Sequence, residues 1–377
     1  MATEQFKKLT KEERLKTLNS ALKEVNSYSK DMPQIDFMPN IREEVTTFSS
    51  GSLVLDSILG GGIPRGRVIE IHGKEASGKT SIALNAAGNV QKEGGYVAFI
   101  DAEQAFDPNY ARKLGVDVNK LLFTQSSFAE DALTQVYLLA KSGSFDLIIL
   151  DSIAALTPKA EDEDLEKQQM ALLARLLSKS IRRIIAVANE TDTTVIFINQ
   201  LRANVGQMFG PATTTAGGNA LKYFASQRIE VNRKSQVKDG DEVIGTEVKL
   251  KVVKNKVSAP YGEGVTVLTF AEGINRAAET ALIAEEIGII TKTGRTYRYT
   301  PSNKFGVDKD GNILKVELDP EGKAVYEDEN TIKITGMSAK ACIDEIKSNK
   351  PLSDAINKEI KIAIHQKMTT GSYELKD

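Results

Sequence analysis

Gly73-Lys74-Glu75-Ala76-Ser77-Gly78-Lys79-Thr80 meets the phosphate-loop pattern G-x-x-x-x-G-K-[ST] at every fixed position. Each residue type has a physical reason. Glycines at 73 and 78 let the backbone turn with no side chain between its N–H groups and an anion. The helix start that follows adds N–H groups of its own. Lys79 has the reach to touch terminal phosphates, and the Thr80 hydroxyl is a hard ligand suited to Mg²⁺. The flanks agree. Val68-Ile69-Glu70-Ile71 reads as a strand entering the loop. Thr80 to Val90 reads as a helix leaving it, with Ile82, Ala83, Ala86, Ala87 and Val90 at helical spacing.

Outward from the loop, apolar strands alternate with helical stretches. Strands are predicted at Tyr96–Ile100, Leu147–Leu150 and Val195–Ile198, with helices at Ala129–Lys141 and Met170–Ala188. This alternation predicts an α/β fold: a mostly parallel sheet covered by helices, whose strands are near-continuously apolar. Each strand ends in polar residues: Asp101 and Glu103, then Asp151 and Ser152, then Asn199 and Gln200. Ligands of open parallel sheets bind at the carboxyl ends of the strands, so these pairs are expected beside the phosphate loop. Asp151, after Leu147-Ile148-Ile149-Leu150, has the form of a Walker B aspartate that helps hold Mg²⁺.

The remaining segments set the domain plan. In residues 1–40, Leu15, Leu18, Leu22, Val25 and Tyr28 make one apolar stripe on a lone helix, followed by a proline-bounded linker. Such a helix needs a packing partner, its own core or a neighbouring subunit. Phe48–Gly66 reads as turn-rich, and Leu201–Thr215 as a long loop without periodicity. Arg228–Val231, Thr246–Val253 and Val265–Phe270 alternate as antiparallel strands that extend the sheet. Residues 41–275 then form the core, and 276–377 a small separate α+β domain. That domain has helices at Ala277–Ile287 and Ala339–Lys347 and hairpin turns at Asp310-Gly311 and Glu321-Gly322.

Composition excludes several classes. Of the 377 residues 41% are hydrophobic and 27% charged, the balance of a soluble globular protein. No apolar run approaches the ~20 residues of a membrane span, and the first residues lack a signal peptide's apolar stretch. The single cysteine, Cys342, excludes an intrachain disulfide and any multi-cysteine zinc site, so the cytoplasm is the expected compartment. Net charge is −2, so nucleic-acid binding would require a local basic surface. Arg175, Lys179, Arg182 and Arg183 supply one, at i, i+4, i+7 and i+8 of a helix. Arg202, Lys222 and Arg228 are expected to extend it.

Several longer stretches carry a family resemblance. They are Asp101-Ala-Glu-Gln-Ala-Phe-Asp107, Tyr110-Ala-Arg-Lys-Leu-Gly-Val116 and Asp151-Ser-Ile-Ala-Ala-Leu-Thr-Pro-Lys-Ala160. Further along come Phe197-Ile-Asn-Gln200, Met208-Phe-Gly210, Gly217-Gly-Asn-Ala-Leu-Lys222 and Val252-Val-Lys-Asn-Lys256. With the phosphate loop, these make the chain similar to the bacterial-type RecA DNA recombinases, in order from about Ser49 to Gly273. The resemblance implies a RecA-type P-loop ATPase core, ATP and Mg²⁺ as ligands, and a homo-oligomeric helical filament on single-stranded DNA. Such a filament pairs its strand with homologous double-stranded DNA, and in some relatives stimulates a self-cleaving repressor.

The resemblance also assigns roles. Gly73 to Thr80 and Ser81 match the nucleotide cradle, with Thr80 and Asp151 toward the metal. Glu103 matches the carboxylate that activates water, and Tyr110 the aromatic stacked on adenine, with Asp107 beside the base. Gln200 matches the γ-phosphate sensor. Lys254 and Lys256, two apart on one strand and so on one face, match lysines that reach the next subunit's ATP. DNA contacts fall to a first loop, about Glu161–Met170, and to a second at Leu201–Thr215. Here Met170 and Val205 match apolar wedges between bases. Arg175, Arg182, Arg202, Met208, Phe209, Gly217, Gly218 and Asn219 complete the expected DNA surface. The first loop departs from the family pattern by lacking its glycines. Two other readings stand beside this one: a hexameric motor or helicase of the same core fold, and a filament mediator that binds ATP without turnover.

Overall fold

Two contact units divide the chain, residues 1–46 and 47–377. The structure is a computed structural model that describes residues 11–28, 45–159, 166–203, 213–239, 241–293, 296–299, 317–318, 324–325, 334–337 and 339–370. In the first unit, α1 (Lys11–Tyr28) carries the predicted stripe with Leu15, Leu18 and Val25 exposed.

In the second unit, β1 (Thr47–Phe48) pairs with β2 (Ile63–Pro64) around a helix α2 (Leu53–Leu59). The sequence reads here as turn-rich, with no helix expected. Yet Ser52 caps α2 by accepting from the Leu55 N–H, and Gly60 ends it in the left-handed region at φ 78°. Next come β3 (Val68–Gly73), α3 (Lys79–Lys92), β4 (Val97–Asp101), α4 (Pro108–Lys113), β5 (Leu121–Gln125) and α5 (Ala129–Lys141). After β6 (Leu147–Asp151), α6 runs Glu166–Thr191, so its start takes in part of the expected first loop; residues 161–165 of that loop lie outside the described residues.

Strand β7 (Thr194–Ala203) continues past its predicted end and pairs antiparallel with β8 (Thr213–Thr215). The two ends of the expected second loop are therefore a hairpin stem. Helix α7 (Ala220–Phe224) leads to β9 (Gln227–Asp239), β10 (Glu242–Asn255), β11 (Glu263–Thr269) and β12 (Gly273–Ile274). Helix α8 (Arg276–Glu286) follows, then β13 (Ile290–Thr293), β14 (Thr296–Tyr299), β15 (Glu317–Leu318), β16 (Ala324–Val325) and β17 (Ile334–Met337). Helices α9 (Ala339–Ser348) and α10 (Lys350–Thr370) close the chain. Strands β15 and β16 pair antiparallel, while both expected turns, Asp310-Gly311 and Glu321-Gly322, lie outside the described residues.

The main sheet has ten strands in the order β12-β11-β10-β9-β3-β7-β6-β4-β5, with β8 on β7. From β9 to β5 all neighbours are parallel; from β9 to β12 they are antiparallel. The expectation of three antiparallel strands thus needs one correction: β9 is antiparallel to β10 but parallel to β3. Side chains alternate across the sheet. Ile69, Ile71, Phe99 and Ile149 face α2, α3 and α8 on one side, in an apolar cluster that continues to Ile356 and Ile360 of α10. Val68, Ile100, Leu150 and Phe197 face α5 and α6 on the other. Two covered faces explain why these strands read as unbroken apolar runs.

One buried carboxylate ties α8 to α2. Glu279 is fully buried and accepts from the hydroxyls of Ser52 and Thr266 and from the Leu53 N–H (2.8 Å). Burial pushes its pKa up to about 7 against those hydrogen bonds, with nearby Asp56 adding to the rise. Between its ordinary value of 4.5 and 7 the folded chain keeps a proton that the unfolded chain has released. Stability from this group is therefore complete below pH 4.5 and lost as pH rises through 7. The expected loss is about 3 kcal/mol. Urea midpoints at pH 5 and pH 8 should show that loss in the parent chain and not in Glu279→Gln. An equal pH dependence in both proteins would assign the slope elsewhere.

Candidate active site

The phosphate loop leaves β3 and enters α3 through two left-handed residues, Ala76 (φ 53°) and Gly78 (φ 95°). A side chain at Gly78 would meet Leu268 Cδ1 at 2.3 Å, and one at Gly73 would meet the Val231 carbonyl at 2.1 Å. Both glycines thus hold the loop tightly on the strands below. Lys79 is buried and donates to the Lys74 carbonyl at 2.8 Å. Burial lowers its pKa, opposed by Asp151, Glu103 and Glu75. The Ser77 hydroxyl is buried with no hydrogen-bond partner. An unmatched buried hydroxyl in a loop of inward-turned N–H groups fits an anionic ligand.

The strand ends gather as expected. Thr80 donates to Asp151 Oδ2 at 2.5 Å. Burial raises the Asp151 pKa to about 6; the Thr80 hydroxyl opposes this, while Glu103 and Asp101 add to it. Two hard oxygens on a carboxylate short of positive charge suit Mg²⁺. Glu103 Oε1 accepts from both Ser152 Oγ (2.6 Å) and Gln200 Nε2 (2.7 Å). Ser81 and Tyr110 share a hydroxyl–hydroxyl hydrogen bond of 2.8 Å, which fixes the ring at the cleft edge. Asp107 caps α4, accepting from the N–H groups of Asn109 and Tyr110. Its place is at the base of that ring and not in the cleft lining.

These groups line a cleft of about 290 Å³ from Glu75 to Ser81, with Glu103, Tyr110, Asp151 and Gln200. The opposite wall is Thr246, Val248, Leu268, Thr269 and Phe270, which sequence reasoning placed in strands but not in the site. The available signal was the half-exposed aromatic Phe270 at a strand end. Among the described lining residues, Lys79 is the one cation against three carboxylates, Glu75, Glu103 and Asp151.

Lys254 and Lys256 do not line the cleft. Lys254 Nζ donates to the carbonyls of Lys222 (3.0 Å) and Tyr223 (2.7 Å) at the end of α7. Burial and the Lys256 charge both lower its pKa. On α6, Arg175, Lys179 and Arg182 are exposed, and Arg182 stands over the Phe224 ring at 5.3 Å. Arg183, also exposed and at the edge of the stripe, lies over the Tyr137 ring of α5 at 4.3 Å. Gly217 and Gly218 rest on α6, where side chains would meet Leu177 Cδ1 at 2.3 Å and Ala174 Cβ at 2.9 Å. Asn219 follows as the first residue before α7. Arg202 pairs with Thr214 in the hairpin stem. Met170 falls in the first turns of α6, while Val205, Met208 and Phe209 lie outside the described residues. Arg228 is corrected outright: it is not in a phosphate track but pairs with buried Glu70 inside the sheet.

A model of the RecA N-terminal domain family matches residues 16–275. The chain belongs to the RecA family. It is 45% identical over 308 residues to Protein RecA of Acinetobacter baylyi, covering 81% of this chain and 88% of that one. Against Protein RecA of Acinetobacter baumannii the identity is 45% over 306 residues, covering 81% and 87%. Against Protein RecA of Mycoplasma mobile it is 45% over 296 residues, covering 78% and 88%. The matched segment spans the whole cleft, the three strand-end carboxylates and the α6 stripe of this RecA-family chain. Among its described residues no helix is long and apolar enough to cross a membrane.

Substituting Gly78 tests how tightly the loop is held. Gly78→Ala adds a Cβ against Leu268 at a positive φ. It is expected to cost about 2–4 kcal/mol from strain and overpacking, read as a lowered urea midpoint. An unchanged midpoint would mean that the loop and β11 are free to separate.

Proposed function

We propose that this RecA-family chain is a recombination protein whose DNA-dependent ATPase is completed between subunits of a filament on single-stranded DNA. The observation that carries the reading is the charge of the cleft: one lysine against three carboxylates. A bound triphosphate adds several negative charges, and phosphoryl transfer depends on neutralising them. Mg²⁺ between Thr80 and Asp151 would supply part of that charge. The rest must come from cations outside this chain's cleft. Lys254 and Lys256 are the two that the family resemblance names, and in one chain they lie away from the nucleotide walls.

In this reading the chain's own residues divide the work. The loop N–H groups, Ser77 and Lys79 bind the phosphates, and Tyr110 with Phe270 brackets the base. Glu103 orients the attacking water and accepts its proton. The water oxygen bonds to the γ-phosphorus, the bond to the bridging oxygen breaks, and ADP and phosphate leave. Gln200 now occupies an acceptor position on Glu103. At the other end of the same strand segment stands the hairpin stem of the second loop. DNA on that loop would thus shift Gln200 toward the γ-phosphate and free Glu103. Residues 1–40 join subunits, 41–275 carry the ATP and DNA chemistry, and 276–377 form an accessory domain. Pairing with homologous duplex and strand exchange follow in the filament.

Two inactive variants test the shared site. Lys254→Ala/Lys256→Ala lacks the incoming cations, and Glu103→Gln lacks the base. Mixed on single-stranded DNA, they form some junctions with an intact Glu103 facing intact lysines. ATPase activity is expected to return in part, with a maximum at equal amounts. A positioned cation from another chain can be worth about 10³–10⁵ in rate, so even a minority of such junctions is measurable. Mixed filaments without recovery at any ratio would place the lysines elsewhere.

The DNA face has its own test. Arg175→Ala should weaken single-strand binding and reduce the slope of log affinity against log salt by roughly one unit per lost phosphate contact. Unchanged affinity and slope would make the α6 stripe a solvated surface.

A further inference from the structure

A second cavity, basic where the nucleotide cleft is acidic and of about 340 Å³, lies among the ends of α3, α4, α8 and α9. Its described lining includes Lys92, Lys113, Arg276 and Lys347, with Glu272 as the one carboxylate among those residues. Glu272 is engaged by Lys347 at 3.0 Å. Among the described residues no carboxylate lies within ion-pair distance of Lys92, Lys113 or Arg276. Arg276 donates to the Asn89 amide oxygen at 3.0 Å, a neutral partner. Its charge also reaches Asp56, whose own pKa is raised by burial.

Part of this charge has a local explanation. Lys92, Lys113 and Lys347 stand in the last turns of their helices, where the helix dipole favours a cation. Arg276 does not share it. It is the first residue of α8, where the dipole disfavours a cation. The N–H groups of Arg276 and Ala277 have no intrahelical acceptor there, and both residues line the cavity. Burial lowers the Lys92 pKa and the Arg276 charge lowers it further, so the two cations repel each other across this space.

We propose that this cavity is a binding site for a small phosphate-bearing anion of di- or triphosphate size, separate from the nucleotide cleft. The separation follows from α3, which begins at Lys79 in the phosphate loop and ends at Lys92, about 20 Å away at 1.5 Å per residue. Four cations around a concave space favour a compact polyanion over the broad groove of a duplex. Its occupant would neutralise the repulsion between Lys92 and Arg276. It would also join the core helices α3 and α4 to the later helices α8 and α9.

Tripolyphosphate without added metal is the probe, followed by isothermal titration into the full chain. Two sites per chain are expected in the parent. Lys79→Ala should keep one of them. Lys92→Gln/Arg276→Gln in the Lys79→Ala background should weaken the remaining site at least tenfold. Lys113→Gln alone, a single change at an exposed position, should weaken it severalfold and serves if the multiple variant fails to fold. Loss of all tripolyphosphate binding in Lys79→Ala alone would overturn the proposal, because the phosphate loop would then be the sole site. Unchanged affinity in the cavity variants would overturn it too. A duplex oligonucleotide supplies the other source of phosphate. If Lys92→Gln/Arg276→Gln weakens duplex binding while tripolyphosphate binding stays as in the parent, the cavity serves DNA and the small-anion assignment falls. None of these outcomes depends on ATP hydrolysis, so the shared-site reading stands or falls separately.

Discussion

The carboxylate of Glu70 is fully buried in β3, three residues before the phosphate loop begins. A charge in that position is tolerable only if paired and hydrogen-bonded. Arg228 meets it from β9, directly opposite in the register, and the Asn199 amide donates to it at 2.9 Å from β7. The same amide reaches the Ala216 carbonyl at 3.1 Å, and Asn199 Oδ1 accepts the Gln200 N–H at 2.9 Å. One buried ion therefore joins the three central strands at the end where the site is built. Removing one partner from such a pair costs about 3–5 kcal/mol, whereas exchanging the whole set for apolar residues is often neutral. The pair is better understood as fixing position than as adding stability. It holds the entry to the phosphate loop, Gln200 and the end of the hairpin loop in one frame.

That frame was only partly legible beforehand. The phosphate loop, β3, α3, the Asp151 strand and α5 were readable because each is specified locally, by an apolar run or a 3.6-residue period beside a distinctive motif. Helix α2 was hidden by Gly60-Gly61-Gly62, although its caps, Ser52 and Gly60, stood in the sequence. Strand β5 is the sheet's edge and leaves Leu122 and Phe123 exposed, so it lacks the profile of a strand covered on both faces. Helix α10 was missed for another reason. Ile356 and Ile360 bury against the core, but Pro351 near its start reads as a breaker, whereas proline is well tolerated in a helix's first turn.

Long-range pairings were the least legible. Arg228 reads as one more cation near a DNA loop, and nothing local reveals a partner 158 residues away in sequence. The far wall of the cleft, Val248 to Phe270, comes from the antiparallel half of the sheet, which carries no phosphate motif. The strand-end carboxylates were found because topology alone predicts where parallel strands deliver their polar ends. Their hydrogen bonds were not. That Ser152 and Gln200 meet on a single oxygen of Glu103 depends on the relative height of three strand ends, and no periodicity encodes it.

The same topology limits what one chain can do with a triphosphate. A parallel sheet brings its strand ends to one edge, and in this chain those ends are rich in acids: Asp101, Glu103 and Asp151. In the proposed reaction acids are needed there, for a metal and for water, but they also repel the phosphates. Among the described residues of the cleft only Lys79 opposes them, and burial already weakens its hold on a proton. A second cation placed permanently among these acids would pair with them and close the space that the nucleotide requires. Supplying the cation from elsewhere avoids that neutralisation. In the shared-site reading proposed above, this leaves the resting cleft open and makes charge balance, and with it hydrolysis, conditional on a neighbour's arrival. In that reading Lys254, which donates to two backbone carbonyls at the end of α7, waits against neutral acceptors that it can leave at less cost than a carboxylate would demand.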